Sequence, residues 1–139
     1  MEVQVNIWAV LAAMVSSLVI GSIWYAQGVF GKIWANLAKI DMSKDRGSVL
    51  KPILVTVVVS TITAYVLAHV TYLSNQFFGH SFLQDALSTA FWMWLGFTAA
   101  RFITHDAFEG RPVKLTLLNV SHELVTLMAM GLIIGLMGV

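Results

Sequence analysis

The last third of the chain carries five polar residues at helical spacing. They are separated mostly by three or four positions and are Thr116, Asn119, His122, Glu123 and Thr126. Such spacing places side chains along one face of an α-helix. Imidazole and carboxylate groups transfer protons or hold a small cation. The stripe therefore predicts either a proton or ion pathway or a hydrogen-bonded contact between helices.

The same residues fit metal or enzyme chemistry poorly. The segment from His122 begins like the His-Glu-x-x-His zinc helix, but Thr126 stands where the second histidine ligand belongs. The chain has no cysteine, and therefore no thiolate ligand or cysteine nucleophile. It also lacks a Gly-x-Ser-x-Gly nucleophile motif. We expect no catalytic residue, no metal and no cofactor.

A second polar set precedes this stripe. A regular helix would align Trp94, Thr98, Arg101 and His105, which recur at i, i+4, i+7 and i+11. In an antiparallel helix pair Arg101 could reach Glu123, and a buried charge requires such a partner. We therefore predict an Arg101–Glu123 ion pair. The predicted buried polar cluster or ion pathway consists of Arg101, His105, Asn119, His122 and Glu123.

The composition places these residues in a membrane. Hydrophobic residues make up 58% of the 139 positions and charged residues 11%, whereas soluble domains average about 45–50% and about 25%. Crossing about 30 Å of hydrocarbon takes about 20 apolar residues, and four stretches qualify: roughly 5–26, 52–74, 82–104 and 113–138. We predict an all-α membrane protein with one four-helix transmembrane domain over 1–139.

The basic residues orient these spans. All eight lie near the connections that follow spans one and three: Lys32, Lys39, Lys44, Arg46, Lys51, Arg101, Arg111 and Lys114. Because Lys and Arg near span ends stay in the cytoplasm, we predict loops 27–51 and 105–112 inside and both termini outside, in a bacterial inner membrane. The net charge of +1 provides no basic face for nucleic acid.

The end of the first span is rich in aromatic residues and glycine. Four apolar residues recur at i, i+3, i+4 and i+7: Phe30, Ile33, Trp34 and Leu37. They predict a short amphipathic helix over about 28–40 that lies on the cytoplasmic interface. Rings near the membrane surface and lysines at the head groups form the usual anchor, here made of Trp24, Tyr25, Phe30, Lys32 and Trp34. The alternative is that these rings line a solute pocket.

This segment also carries a family resemblance. Trp24-Tyr25 followed by Phe30-Gly31-Lys32 and Trp34, after a span that opens near Asn6 and Trp8, resembles the small integral membrane proteins catalogued as domain of unknown function 1761. The resemblance extends to the polar start of the last span, at Asn119, His122 and Glu123. It implies a multi-span membrane protein and supplies no substrate, cofactor or catalytic residue.

The outer half of the last span carries three spaced glycines. Gly131, Gly135 and Gly138 permit close approach of a helix from the same chain or from a second copy. Four short helices enclose little space of their own, so we expect a homo-oligomer in the lipid bilayer. Two functions remain open. One is an oligomeric channel or transporter for protons, a small ion or a solute, and the other is a non-catalytic structural protein that binds a partner.

Overall fold

The computed structural model describes residues 2–41 and 50–139, and all their regular elements are helical. The α-helices are α1 (Ile7–Trp24), α2 (Gly31–Leu37), α3 (Leu50–Phe78), α4 (Phe82–Met93), α5 (Ala100–Phe108) and α6 (Val113–Met137). A π-helical segment, Trp94–Ala99, joins α4 to α5. The predicted all-α fold is confirmed. The part of the predicted 27–51 loop that contains Lys44 and Arg46 lies outside the described residues.

Three of these helices are long and apolar enough to cross a membrane. They are α1, α3 and α6, with 18, 29 and 25 residues and mean hydropathies of 2.0, 2.1 and 1.7. They match three of the four predicted spans and indicate a membrane protein. The predicted span at 82–104 is instead built from α4, the π segment and α5 in direct succession. No single α-helix in that part of the chain is long enough to cross alone.

The long helices alternate in direction. The Asn6 amide donates to the Met137 carbonyl at 3.4 Å, which places the start of α1 beside the end of α6. The Asn75 amide donates to Asp85 at 2.8 Å and joins the end of α3 to the start of α4. We call this side of the bundle, where α1 begins and α6 ends, the terminal end. The opposite side is the basic end, because every described Lys and Arg lies toward it.

The contact between α4 and α6 depends on two glycines. A Cβ atom on Gly131 would lie 2.8 Å from the Ala90 Cβ, and one on Gly135 would lie 2.8 Å from the Leu83 Cα. These two glycines therefore serve packing within one chain. Gly138 makes no such contact with the described residues of the chain, and its packing against a second copy stays a prediction. No atom lies within 4 Å of its Cβ position, and its φ of +69° ends α6.

The buried apolar core occupies the terminal-end half of the bundle. Its members are Ala9, Val10, Ala13, Ala64, Leu67, Ala68, Ala90, Leu127, Met130 and Ile134. In contrast, the first ten residues of α3 are exposed except for one of intermediate burial. The bundle is therefore closely packed at its terminal end and open at its basic end.

Candidate functional site

An open cavity of about 700 Å³ lies between α1, α3 and α6 at the basic end. It exists because the first half of α3 has few neighbours. Hydroxyl groups from all three helices face it, namely Ser17, Ser22, Thr56, Ser60, Thr63 and Thr126. Among the described residues that line it, only His122 carries an imidazole and only Glu123 a carboxyl group. We call this cavity the carboxylate groove.

His122 connects two other polar groups in the wall of the carboxylate groove. Its Nδ1 lies 3.3 Å from Glu123 Oε1, and its Nε2 lies 3.5 Å from Thr126 Oγ1. The His122 side chain is 12% exposed and that of Glu123 is 34% exposed, so the carboxylate remains open to the groove. Within residues 2–41 and 50–139, no three His, Asp or Glu side chains are grouped to hold a metal ion. The arrangement suits transfer of a proton or binding of a small cation.

The aromatic end of α1 packs against the same imidazole. The Trp24 and Tyr25 ring centroids lie 5.8 and 5.0 Å from that of His122. The Tyr25 hydroxyl donates to Asn119 Oδ1 at 3.2 Å. The sequence predicted a lipid anchor for these rings and a separate site for the polar stripe. The structure brings the two together through a long-range contact that helical spacing alone cannot reveal.

A tight turn between α1 and α2 positions these rings. The Phe30 N–H donates to the Trp24 carbonyl, and the Gly31 N–H donates to the Ala26 carbonyl, at 3.1 and 3.0 Å. A Cβ atom on Gly31 would overlap the Tyr25 carbonyl oxygen, so this close approach requires glycine.

The aromatic rings at α2 pack against those at the end of α1. Phe30 lies 4.6 Å from Trp24, and Trp34 lies 5.4 Å from Tyr25, between ring centroids. Lys32 remains exposed. A short helix is thus present within the predicted range 28–40, with narrower bounds, and its rings also support the wall of the carboxylate groove. Its place at a membrane interface stays a prediction.

The structure does not form the predicted Arg101–Glu123 ion pair. Glu123 faces the carboxylate groove, whereas Arg101 and His105 are exposed and line a separate cavity beside α5. The π segment explains the difference, since a π turn takes one more residue than an α turn. The residues after it are therefore displaced around the helix axis from the positions that a regular helix would give them.

Asp106 takes the position toward α6 that the regular spacing gave to His105. It is buried and accepts a hydrogen bond from the Thr116 hydroxyl at 2.6 Å. Arg111 Nε lies 3.7 Å from Asp106 Oδ1 and 2.6 Å from Glu109 Oε2. The hydrogen bond to Glu109 raises the pKa of Arg111 above its ordinary value, so the guanidinium stays charged. The sequence does not indicate the burial of Asp106, and Gly96 within the π segment is the one local signal of an irregular turn.

A further polar cluster at the terminal end was also missed. Asp85 is only 2% exposed, and its oxygens lie 2.8 Å from the Asn75 amide nitrogen and 3.1 Å from His80 Nδ1. These contacts fasten the turn between α3 and α4. The sequence shows Asp85 only as an acidic residue in the first turn after the Ser81 cap, a common position that needs no buried partner.

A family model described as "Protein of unknown function (DUF1761)" matches residues 8–135. The chain belongs to this family. The match runs from α1 to the last turn of α6 and so includes every residue of the carboxylate groove. It confirms the resemblance seen around Trp24 and Tyr25, and the family description assigns no activity. The DUF1761 chain has no match among curated proteins or among solved structures.

Proposed function

We propose that this DUF1761 protein is a membrane transporter that carries a proton or a small cation on Glu123. The observation that supports this is the connected chain of Glu123, His122 and Thr126 in the wall of an open groove. An ionisable side chain at membrane depth is costly and commonly marks an ion or proton pathway. Here the imidazole partners the carboxylate, and the exposed part of the carboxylate faces the groove.

The closed terminal end favours a carrier over a permanently open channel. Leu67, Met130 and Ile134 are almost completely buried. They belong to the apolar core, whose hydrocarbon side chains occupy the positions that a water path through the terminal end would need. The groove lies toward the basic end, and this core lies beyond it. Transport would then require a second arrangement in which the terminal end opens, as in alternating access.

The proposal includes four spans and a defined orientation. Residues 82–108 are helical without a break across α4, the π segment and α5, which exceeds the about 20 residues needed to cross a bilayer. The basic end is then cytoplasmic by the charge rule, in a bacterial inner membrane with both termini outside. Gly131 and Gly135 contact α4 within the chain and are not available to a second copy. The proposed homo-oligomer therefore depends on the exposed half of α3, along which a second copy would close the groove.

Flux measurements test the transport proposal. Purified protein in liposomes that contain a pH-sensitive dye should admit protons under an imposed potential, and Glu123→Gln should reduce the rate by about tenfold or more. Glu109→Gln is the matched control, because this carboxylate lies outside the carboxylate groove, and it should leave the rate unchanged. The same pair is compared with potassium and sodium gradients.

Two outcomes contradict the proposal. One is wild-type flux no higher than that of empty liposomes for protons and for both cations. The other is flux in Glu123→Gln equal to that of wild type. Either result favours the structural role, in which His122 only packs α6 against the rings of Trp24 and Tyr25 at the end of α1.

Single cysteines test the four-span orientation, since the chain has none of its own. Phe77 and Phe108 are both highly exposed, at 82% and 92%, and lie at opposite ends of the bundle. In intact cells, a membrane-impermeant maleimide should label Phe77→Cys and not Phe108→Cys, and both after lysis. Labelling of both before lysis means that residues 82–108 do not cross the membrane.

A further inference from the structure

A second cavity lies at the basic end, beside the carboxylate groove. It has a volume of about 430 Å³ and is bounded by the π segment, α5, the connection to α6 and one side of α6. Polar and charged side chains line it together with two phenylalanines. We call it the arginine groove, after Arg101. The proposed transport function does not use it.

The acceptor groups of the arginine groove already have donors. Asp106 accepts from Thr116 at 2.6 Å and lies 3.7 Å from Arg111. Glu109 accepts from the same Arg111 at 2.6 Å. Each carboxylate therefore has a donor, and the two share the one guanidinium of Arg111. Together with Arg101 the four charged side chains that line the groove sum to zero, so an anion is held by the N–H fork of Arg101 and not by an excess of positive charge.

In contrast, several hydrogen-bond donors of the arginine groove remain available to a ligand. Arg101 is exposed and forms no ion pair or hydrogen bond with the residues of the described ranges 2–41 and 50–139. A guanidinium carries five N–H donors in a planar fork. His105 follows one turn later on α5 and is also exposed. Asn119 uses its oxygen to accept from Tyr25, which leaves its amide N–H groups available.

The apolar part of the arginine groove lies on its membrane side. Phe97 is 77% exposed and precedes Arg101 by one turn toward the middle of the bundle. Phe102 adds a second exposed ring beside Arg101. A ligand that satisfies both parts has a hydrogen-bond-accepting anion at the basic end and an apolar chain directed into the membrane.

We propose that the arginine groove binds a phosphoryl group, held by Arg101 and oriented by Asn119, with Phe97 and Phe102 against the chains of a phospholipid. Guanidinium groups hold phosphate oxygens through paired N–H bonds. The cavity is large enough for a phosphate diester, since ligand pockets span about 300–1,000 Å³.

Native mass spectrometry of the full chain in detergent tests this site with phosphatidylglycerol as the probe. Wild type should retain one tightly bound lipid, and Arg101→Gln should weaken its binding by about tenfold, the effect of losing a charged hydrogen bond. Arg101→Lys should restore part of the binding, because it keeps the charge without the planar fork. Lys114→Gln is the matched control, since Lys114 is exposed at the same end but lies outside the arginine groove.

A parallel titration with inorganic phosphate separates the two sources of the phosphoryl group. Displacement of the lipid by millimolar phosphate, with tighter binding of phosphate than of lipid, identifies a soluble phosphate as the ligand. Resistance to phosphate identifies the phospholipid. Both keep the site.

The proposal is overturned if wild type binds neither probe, or if Lys114→Gln loses as much lipid as Arg101→Gln, which is the mark of general attraction to a charged surface. Circular dichroism and size-exclusion profiles show that each variant is folded before its binding is compared. Glu123→Gln should bind lipid like wild type, so failure of the transport proposal leaves this test intact.

Discussion

His122 is the residue at which two sequence features meet. Its imidazole contacts the carboxylate and hydroxyl of its own helix and the rings at the end of α1. Spacing along α6 predicts the contact with Thr126, because residues four apart share a face, but not the contact with the adjacent Glu123. It also cannot predict the contacts with the rings, which depend on how α1 and α6 cross. The residue types of the site were therefore visible in the sequence, while their assembly was not.

The Tyr25 hydroxyl should contribute measurable stability. It donates to Asn119 across 94 residues of sequence, and its loss leaves a partly buried amide oxygen without this donor. Tyr25→Phe should lower the free energy of unfolding by about 1 kcal/mol, measured by denaturant titration in detergent micelles. Tyr65→Phe is the control, because Tyr65 is 46% exposed and its hydroxyl forms no hydrogen bond with the described residues. Equal effects of the two substitutions would contradict this role for Tyr25.

At the scale of elements, local sequence signals predict where the helices lie better than they predict which residues face a neighbouring helix. The predicted span 113–138 matches α6, Val113–Met137, to within one residue. Its bounds depend on hydropathy and on the preceding proline, which are both local features of the sequence. The face that follows the π segment is a different case. One extra residue in that turn replaces His105 by Asp106 toward α6, and a period of 3.6 cannot anticipate it. The failed Arg101–Glu123 pair follows from the same shift.

The pair formed by α4 and α6 should tolerate no added methyl group at its centre. A Cβ on Gly131 meets the Ala90 Cβ at 2.8 Å and the Ala86 carbonyl oxygen at 3.0 Å, and backbone cannot move aside cheaply. Gly131→Ala should lower the free energy of unfolding by about 1–3 kcal/mol, measured by thermal or denaturant unfolding in micelles. Gly96→Ala, where the Cβ position is open, should not lower it. A neutral Gly131→Ala would mean that the two helices stand farther apart.

At the scale of the whole molecule, the buried and open halves divide the protein along its length. The apolar core fills the terminal end, and both cavities open at the basic end. The membrane class followed from composition, because only a small fraction of the residues is charged. The asymmetry did not, because the first half of α3 is more apolar than the second and is nevertheless the exposed half, so hydropathy does not indicate which half is buried. A one-sided cavity is the property that separates a carrier from an open pore.

Access to the carboxylate groove should therefore be one-sided. Thr56 lines the groove and is exposed, whereas Leu67 lies about three turns farther along α3 and is fully buried. In oriented vesicles, Thr56→Cys should react with an impermeant maleimide faster from the basic-end side by about tenfold or more, since a minor conformation is populated at about 0.1–10%. Leu67→Cys is the buried control and should react slowly from both sides. Equal rates for Thr56→Cys from the two sides would show a continuous water path and exclude the carrier.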